Sequence, residues 1–182
     1  MRHLLHRREE DFNATFENAA IGIAHTGMDG RWLRVNRKLC EILGYPREEL
    51  MKLRFQDVTH PDDVPLNLIL AQRLMSGEIP EFTMEKRYIS KDGRIIWGNV
   101  TCALLRGPHG RRRYCVVTVE DITARKEAEE EVARQKNNAE AATRAKDHLL
   151  SMISHELRTP LTPVLAALSE IEARNPTEKE TL

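Results

Sequence analysis

Near its C-terminal end the chain reads SMISHELRTPLTP, from Ser151 to Pro163. One histidine, His155, stands beside an acid, Glu156, with Arg158 and Thr159 about one helical turn further on. Free imidazole has a pKa of ~6.5, so near pH 7 a large neutral fraction carries a lone pair able to act as a nucleophile. Two helix breakers, Pro160 and Pro163, follow at once in a segment whose other residues favour helix.

A nucleophile of this kind has to be held where a partner can reach it. From Leu149 onward the apolar residues thicken: Leu150, Ile153, Leu157, Leu161, Val164, Leu168 and Ile171 recur at helical spacing. At about 100° per residue they fall within an arc of roughly 80°. His155 projects about 165° from the centre of that arc, and Thr159 lies near it on the outward face. Leu149 and Met152 add a second apolar shoulder, so more than one neighbouring helix is expected. The pattern predicts a histidine on the outer surface of a packed helical bundle, away from its core.

Pro160 removes the backbone bond to Glu156 and Pro163 the bond to Thr159, each at about 3 kcal/mol. A helix ending at Arg158 is the competing reading, because residues before proline avoid the α region. The apolar stripe nevertheless stays in phase through both prolines, so one bent helix is expected. Loosened backbone bonding beside His155 would give a partner domain room to approach.

Upstream, ARKEAEEEVARQKNNAEAATRAKDHLL contains no Gly or Pro and is rich in strong helix formers. Glu130 with Arg134 and Glu140 with Arg144 have favourable i,i+4 order. The apolar stripe is thin here, with Ile122, Val132 and alanines. A solvated single helix and a weak parallel coiled coil both fit it, and a poor seam suits a linker that must rotate or change register.

Before Asp121 the period changes. IGIAHTG and RWLRVN are strand-like runs joined by Met28-Asp29-Gly30, a hairpin signal. RKLCEILG is a short helix stopped by Gly44, YPREELM a further turn opened by Pro46, and THPDDVPLNLILAQRLMSG a longer helix ending at Gly77. Three strands follow in EFTMEKRYIS, RIIWGNVTCALLR and RRRYCVVTVEDIT, with turns at Lys91-Asp92-Gly93 and Gly107-Pro108-His109-Gly110. Sequential hairpins imply antiparallel pairing, and helices grouped mid-chain imply an α+β domain with helices on one side of the sheet.

That order and its local words, FENAAIGIAHTGMDGRWLRVNRKLCEILGY, HPDD, KDGRIIW and VVTVEDITARK, resemble a PAS sensor domain. The resemblance implies a sheet enclosing a small cavity for a ligand that the sequence leaves unknown. SHELRTPL resembles the phosphoacceptor box of sensor histidine kinases. This second resemblance implies that His155 takes the γ-phosphoryl group of ATP and yields it to an aspartate on a response-regulator receiver domain. It implies that Glu156 accepts a hydrogen bond from Nδ1–H of His155, leaving Nε2 to attack. It also implies that Thr159 assists hydrolysis of a receiver's phosphoaspartate. A nearby carboxylate also favours imidazolium, which is not nucleophilic, so the pairing has to orient the ring without holding its charge. Arg158 reads better as a solvated cation than as a phosphate ligand.

The implied plan is an N-terminal extension (1–11), a PAS domain (12–122), a helical linker (123–147), the first helix of a dimerisation and phosphoacceptor domain (148–173) and a truncated loop (174–182). No phosphate loop or kinase ATP box occurs, so ATP and Mg would be bound by a missing ATP-binding domain. The chain is therefore expected to be the N-terminal part of a kinase, working as a homodimer and unable to phosphorylate itself alone. The competing class is a non-catalytic PAS ligand-binding and dimerisation module with a vestigial phosphoacceptor helix.

Composition agrees with this division. In 182 residues, 41% hydrophobic and 31% charged content fits a globular part joined to a solvated one. Lys plus Arg (28) equals Asp plus Glu (28), so no global field recruits nucleic acid. Cys40, Cys102 and Cys115 are too scattered in sequence for a disulfide framework or zinc site. A reducing, cytoplasmic setting is expected, since MRHLLHRREED lacks a signal-type apolar core and no apolar run approaches ~20 residues; a membrane tether elsewhere in a longer parent is compatible with this.

The remaining candidates have simpler readings. His60-Pro61-Asp62-Asp63 is better explained by Pro61 opening a helix whose dipole two acids complement than by metal binding. His25, His109 and His148 lack ligand partners at useful spacing. Cys40 is expected to pack against the sheet, Trp32 and Trp97 to serve core or interface, and Asn36 to cap a helix.

Overall fold

Alternating apolar residues in EFTMEKRYI place every second side chain of β3 (Glu81–Ile89) on one face, and its neighbours follow the same rule. The computed structural model describes residues 2–106 and 112–174, with side chains left undescribed at 2–6, 9, 112–113, 157, 159–160 and 171–174. β3 pairs antiparallel with β4 (Ile95–Arg106), from Glu81 opposite Ala103 to Ile89 opposite Ile95. β4 pairs with β5 (Arg112–Asp121), and β5 with β1 (Gly22–Thr26), which in turn pairs with β2 (Trp32–Val35). The sheet order is β2-β1-β5-β4-β3. The expected meander is present, and the first hairpin closes onto its last strand. His109 and the turn at 107–110 lie outside the described residues.

Between β2 and β3 run α2 (Arg37–Leu43), α3 (Arg47–Leu50), two 3-10 turns (Phe55–Val58 and Pro61–Asp63) and α4 (Val64–Ser76). Gly44 and Gly77 end α2 and α4 in the left-handed region, φ 71° and 84°, where a side chain would be strained. Leu39, Leu43, Leu50, Val58 and Leu74 from these segments join Ala24, Val35, Tyr88, Val100 and Val119 from the sheet in one buried core. Cys40 packs against that cluster. The architecture is α+β, a PAS-like antiparallel sheet with helices on one side, followed by a long helix.

Asn36 does more than cap. Its Oδ1 accepts from the backbone N–H of Leu39 and of Ile23, both at 2.9 Å, while Nδ2 donates to the carbonyls of Phe16 and Ile21, both at 3.0 Å. It is fully buried, and it ties together the chain before β1, β1 itself and α2. Asn36→Ala removes the side-chain partner of four backbone groups, two of them buried and two part-buried, and each buried one costs about 1–3 kcal/mol. Partial relaxation leaves an expected loss of roughly 4 kcal/mol in urea unfolding; a loss below about 1 kcal/mol would contradict this bonding.

Residues 1–11, read from the sequence as an N-terminal extension, lie almost wholly in α1 (Arg2–Asn18). Polar residues dominate α1, and among its described side chains Phe16 is the buried apolar anchor, at 4% exposure. The Arg34 guanidinium lies 4.1 Å from the Phe16 ring centroid, and Glu17 holds Arg47 at 2.7 Å. So sparse an apolar stripe carries little periodic signal.

The described residues fall into two units that part between Ala128 and Glu129. Helix α5 (Thr123–Arg174) starts in the first and supplies the second, and it remains helical through Pro160 and Pro163. The alternative stop at Arg158 does not occur. Arg134 pairs with Glu131, Nε to Oε2 3.0 Å, rather than with the expected Glu130. Among the described residues no helix is long and apolar enough to cross a membrane.

Candidate functional site: a lysine cavity and a histidine helix

On β3 the residues facing the helices are Phe82, Met84, Lys86 and Tyr88. A lysine thus occupies an apolar register position and is only 2% exposed. Its Nζ donates to Oγ1 of Thr59 at 2.9 Å and to Oδ1 of Asn67 at 2.6 Å, and it lies 4.5 Å from the Tyr88 ring centroid. No carboxylate of the described residues pairs with it. Burial is the dominant influence and drops its pKa from 10.5 to about 7.

Lys86 lines a cavity of about 40 Å³, measured for the centres of water-sized spheres, enough for roughly three waters. The other walls are mainly apolar, among them Phe55, Leu74, Phe82, Val100 and Val117. Trp32 also lines it, and the buried indole Nε1 of Trp32 has no hydrogen-bond partner. A shallower surface groove shares Gly30, Phe55, Ala71 and Met75 with the cavity. These four residues line both spaces.

Cys102 and Cys115, far apart in sequence, come together on paired strands, where Cys102 is opposite Val117 and Leu104 opposite Cys115. Both are buried free thiols on the cavity wall. Their mutual hydrogen bond, with burial, pushes the Cys102 thiol far up. Asp63, weighed above as a dipole partner, grips Arg87: its carboxylate accepts from the Arg87 backbone N–H at 2.7 Å and from the guanidinium at 2.7 and 3.0 Å. That contact holds its carboxyl below the usual carboxylate range.

The residue beside Lys86 faces the other way. Glu85 pairs at 2.6 Å with Arg125 and at 2.6 Å with Lys126 in the first turn of α5. The helix start is fixed further by Asp121, whose Oδ1 accepts from the Thr123 N–H at 2.9 Å and hydroxyl at 2.6 Å. Ile122 N–H donates to the Trp97 carbonyl at 2.9 Å, and Trp97 N–H to the Thr123 hydroxyl at 3.0 Å. Trp97 therefore serves the root of α5.

In the second unit His155 and Glu156 are exposed neighbours on α5. Thr159 is helical in backbone, and its side chain lies outside the described residues. His148 stands one heptad before His155 and so shares its face of the helix. Leu149, Leu150, Met152, Ile153, Leu161, Val164, Leu165 and Leu168 are all exposed along the same helix.

Comparison with known proteins accounts for both parts. Residues 16–127 match the family model of the PAS fold, and residues 145–182 that of the His Kinase A (phospho-acceptor) domain, a type through which histidine kinases dimerise. The chain is similar to the probable diguanylate cyclase DgcE of Escherichia coli (strain K12), 39% identical over 122 residues, covering 67% of this chain and 11% of that protein. It is also similar to the sensor histidine kinase TmoS of Ectopseudomonas mendocina, 28% identical over 160 residues, covering 86% of this chain and 16% of that protein. A PAS domain from Colwellia psychrerythraea superposes with TM-score 0.57 at 20% identity, covering 66% of this chain and 98% of its own. The chain thus spans a small fraction of the length of these curated relatives. It belongs to the PAS-fold family and joins that sensor domain to a His Kinase A phosphoacceptor segment, the arrangement typical of sensor histidine kinases.

Proposed function

We propose that this chain is the signal-sensing and phosphoacceptor part of a two-component sensor histidine kinase. His155 takes the γ-phosphoryl group of ATP, held with Mg by a kinase ATP-binding domain, and passes it to a response-regulator aspartate. The observation that carries the reading is a single helix, α5, that begins on the PAS sheet and bears an exposed His155 inside the matched phosphoacceptor segment. Phosphoryl transfer depends on positioning and charge neutralisation, and exposure lets a separate domain bring its nucleotide to Nε2. Glu156 orients the imidazole, and Thr159 assists hydrolysis of the receiver's phosphoaspartate.

The uncovered apolar residues of α5 supply the seam for a second copy, which makes the working unit a homodimer in the cytoplasm. Control runs through β3, where Lys86 faces the cavity and adjacent Glu85 holds the root of α5. Movement of this strand on ligand binding is passed to the linker within one residue.

To test the reading, the chain is joined to the second hairpin helix and ATP-binding domain of a related kinase, then given labelled ATP, Mg and a receiver domain. Label should appear on the chimaera as acid-labile phosphate and move to the receiver. A chimaera that binds ATP yet stays unlabelled would instead support the non-catalytic module.

A further inference from the structure

An ammonium has three protons to donate. Two of those on Lys86 go to Thr59 and Asn67, and the Thr59 hydroxyl spends its own proton on the Phe55 carbonyl at 2.7 Å. The third has no protein acceptor among the described residues, nor has the Trp32 indole N–H on the same cavity. The cavity wall thus holds two donors, one of them a buried ammonium with no paired carboxylate among the described residues, in mainly apolar surroundings. Water can satisfy the donors, but it cannot neutralise the cation.

The ligand is constrained by what is missing. It must bring an acceptor with negative charge, and one charge only, since a dianion would leave the second unpaired in an apolar wall. Its body must be small and apolar to fit about 40 Å³ beside Phe82, Val100 and Val117. We propose that this cavity binds a small monocarboxylate, whose carboxylate accepts from Lys86 Nζ and Trp32 Nε1 and whose short aliphatic body lies among the apolar walls. Entry is through the outer groove, by displacement of the Phe55 and Met75 side chains that both spaces share. Larger monocarboxylates bind only as far as those two side chains give way.

Binding follows from the cavity alone, whereas its role as a signal rests on the sensor-kinase reading. The test reads binding without phosphoryl transfer, so the two fail separately. Propionate is titrated into the full chain while the Trp32 indole N–H resonance and the heat of binding are followed, with propionamide as the neutral isostere. A saturable Trp32 shift is expected with a Kd on the order of 0.1 mM, with propionamide weaker by about tenfold or more. Lys86→Met, checked for an intact fold by circular dichroism, should lose the propionate response. Trp32→Phe, which removes the indole donor together with part of the ring, should weaken the heat-detected binding by roughly fivefold. Equal affinity for the amide, undiminished binding by folded Lys86→Met, or no saturation by about 10 mM propionate would overturn the proposal.

Discussion

Replacing Lys86 with methionine is expected to flatten the pH dependence of stability, so the variant gains on the parent chain at low pH and falls behind it as pH rises. Burial holds the folded-state pKa near 7, against 10.5 for an exposed lysine. Between those values the unfolded chain binds more protons than the folded one, so stability climbs with pH across that window and levels off above it. Below pH 7 Lys86 destabilises the fold by on the order of 4 kcal/mol relative to pH 10.5. Methionine fills a similar volume without the charge, but it leaves Asn67 Oδ1 without the 2.6 Å bond from Lys86, a loss of about 1–3 kcal/mol at every pH. The two effects oppose one another near pH 7, so the slope decides, not the absolute stability. Urea unfolding at several pH values from 6 to 10 should give a difference that changes by roughly 3–4 kcal/mol. Parallel curves would show that Lys86 keeps its ordinary basicity in the fold.

In the active chimaera, His155→Gln is expected to lower phosphoryl labelling by about 10³-fold or more, since glutamine offers no ring nitrogen nucleophile. In the proposed mechanism Glu156 acts through the histidine, so its substitutions should be graded. Alanine removes both acceptor and charge and should cost on the order of 10²-fold. Glutamine keeps an acceptor oxygen and should retain part of that loss as activity. Equal effects of alanine and glutamine would assign the role to charge alone. Because Glu156 is exposed, neither substitution should shift the melting temperature of the sensor domain appreciably, which separates chemistry from folding.

Much of the fold was legible because its signals are local. Met28-Asp29-Gly30 and Lys91-Asp92-Gly93 announce hairpins, Gly44 and Gly77 end helices, and alternation marks β3. The closure of β1 onto β5 depends on partners such as Ile23 and Thr118, and no short window contains both. Helix α1 escaped notice because Phe16 and a few ion pairs hold it, rather than a stripe. The approach of Cys102 to Cys115 likewise follows from strand pairing, not from spacing.

The two functional loci differ in the same respect. His155 and Glu156 announce themselves by a contiguous word, whereas the cavity is assembled from Trp32, Phe55, Asn67, Lys86 and Cys115 on separate elements. One signal was present: Lys86 sits in phase with Phe82, Met84 and Tyr88, where alternation demands an apolar side chain. A lysine in a buried strand register is a site hypothesis in its own right. Asn36 shows the converse, a residue readable as a cap whose further bonds to Phe16 and Ile21 become visible only in three dimensions.

The central claim is that His155 is where phosphate enters this chain. Trypsin should release Asp147–Arg158 as one peptide, since Lys146 and Arg158 bound it and both cleavage sites lack a following proline. This peptide carries His148, one heptad from His155 on the same face, together with Ser151 and Ser154, so it contains its own competing acceptors. Tandem mass spectrometry of the peptide from the labelled chimaera, kept at alkaline pH, should place the phosphoryl group on His155. Phosphate on His148 or on either serine, or labelling that persists in His155→Gln, would contradict the account.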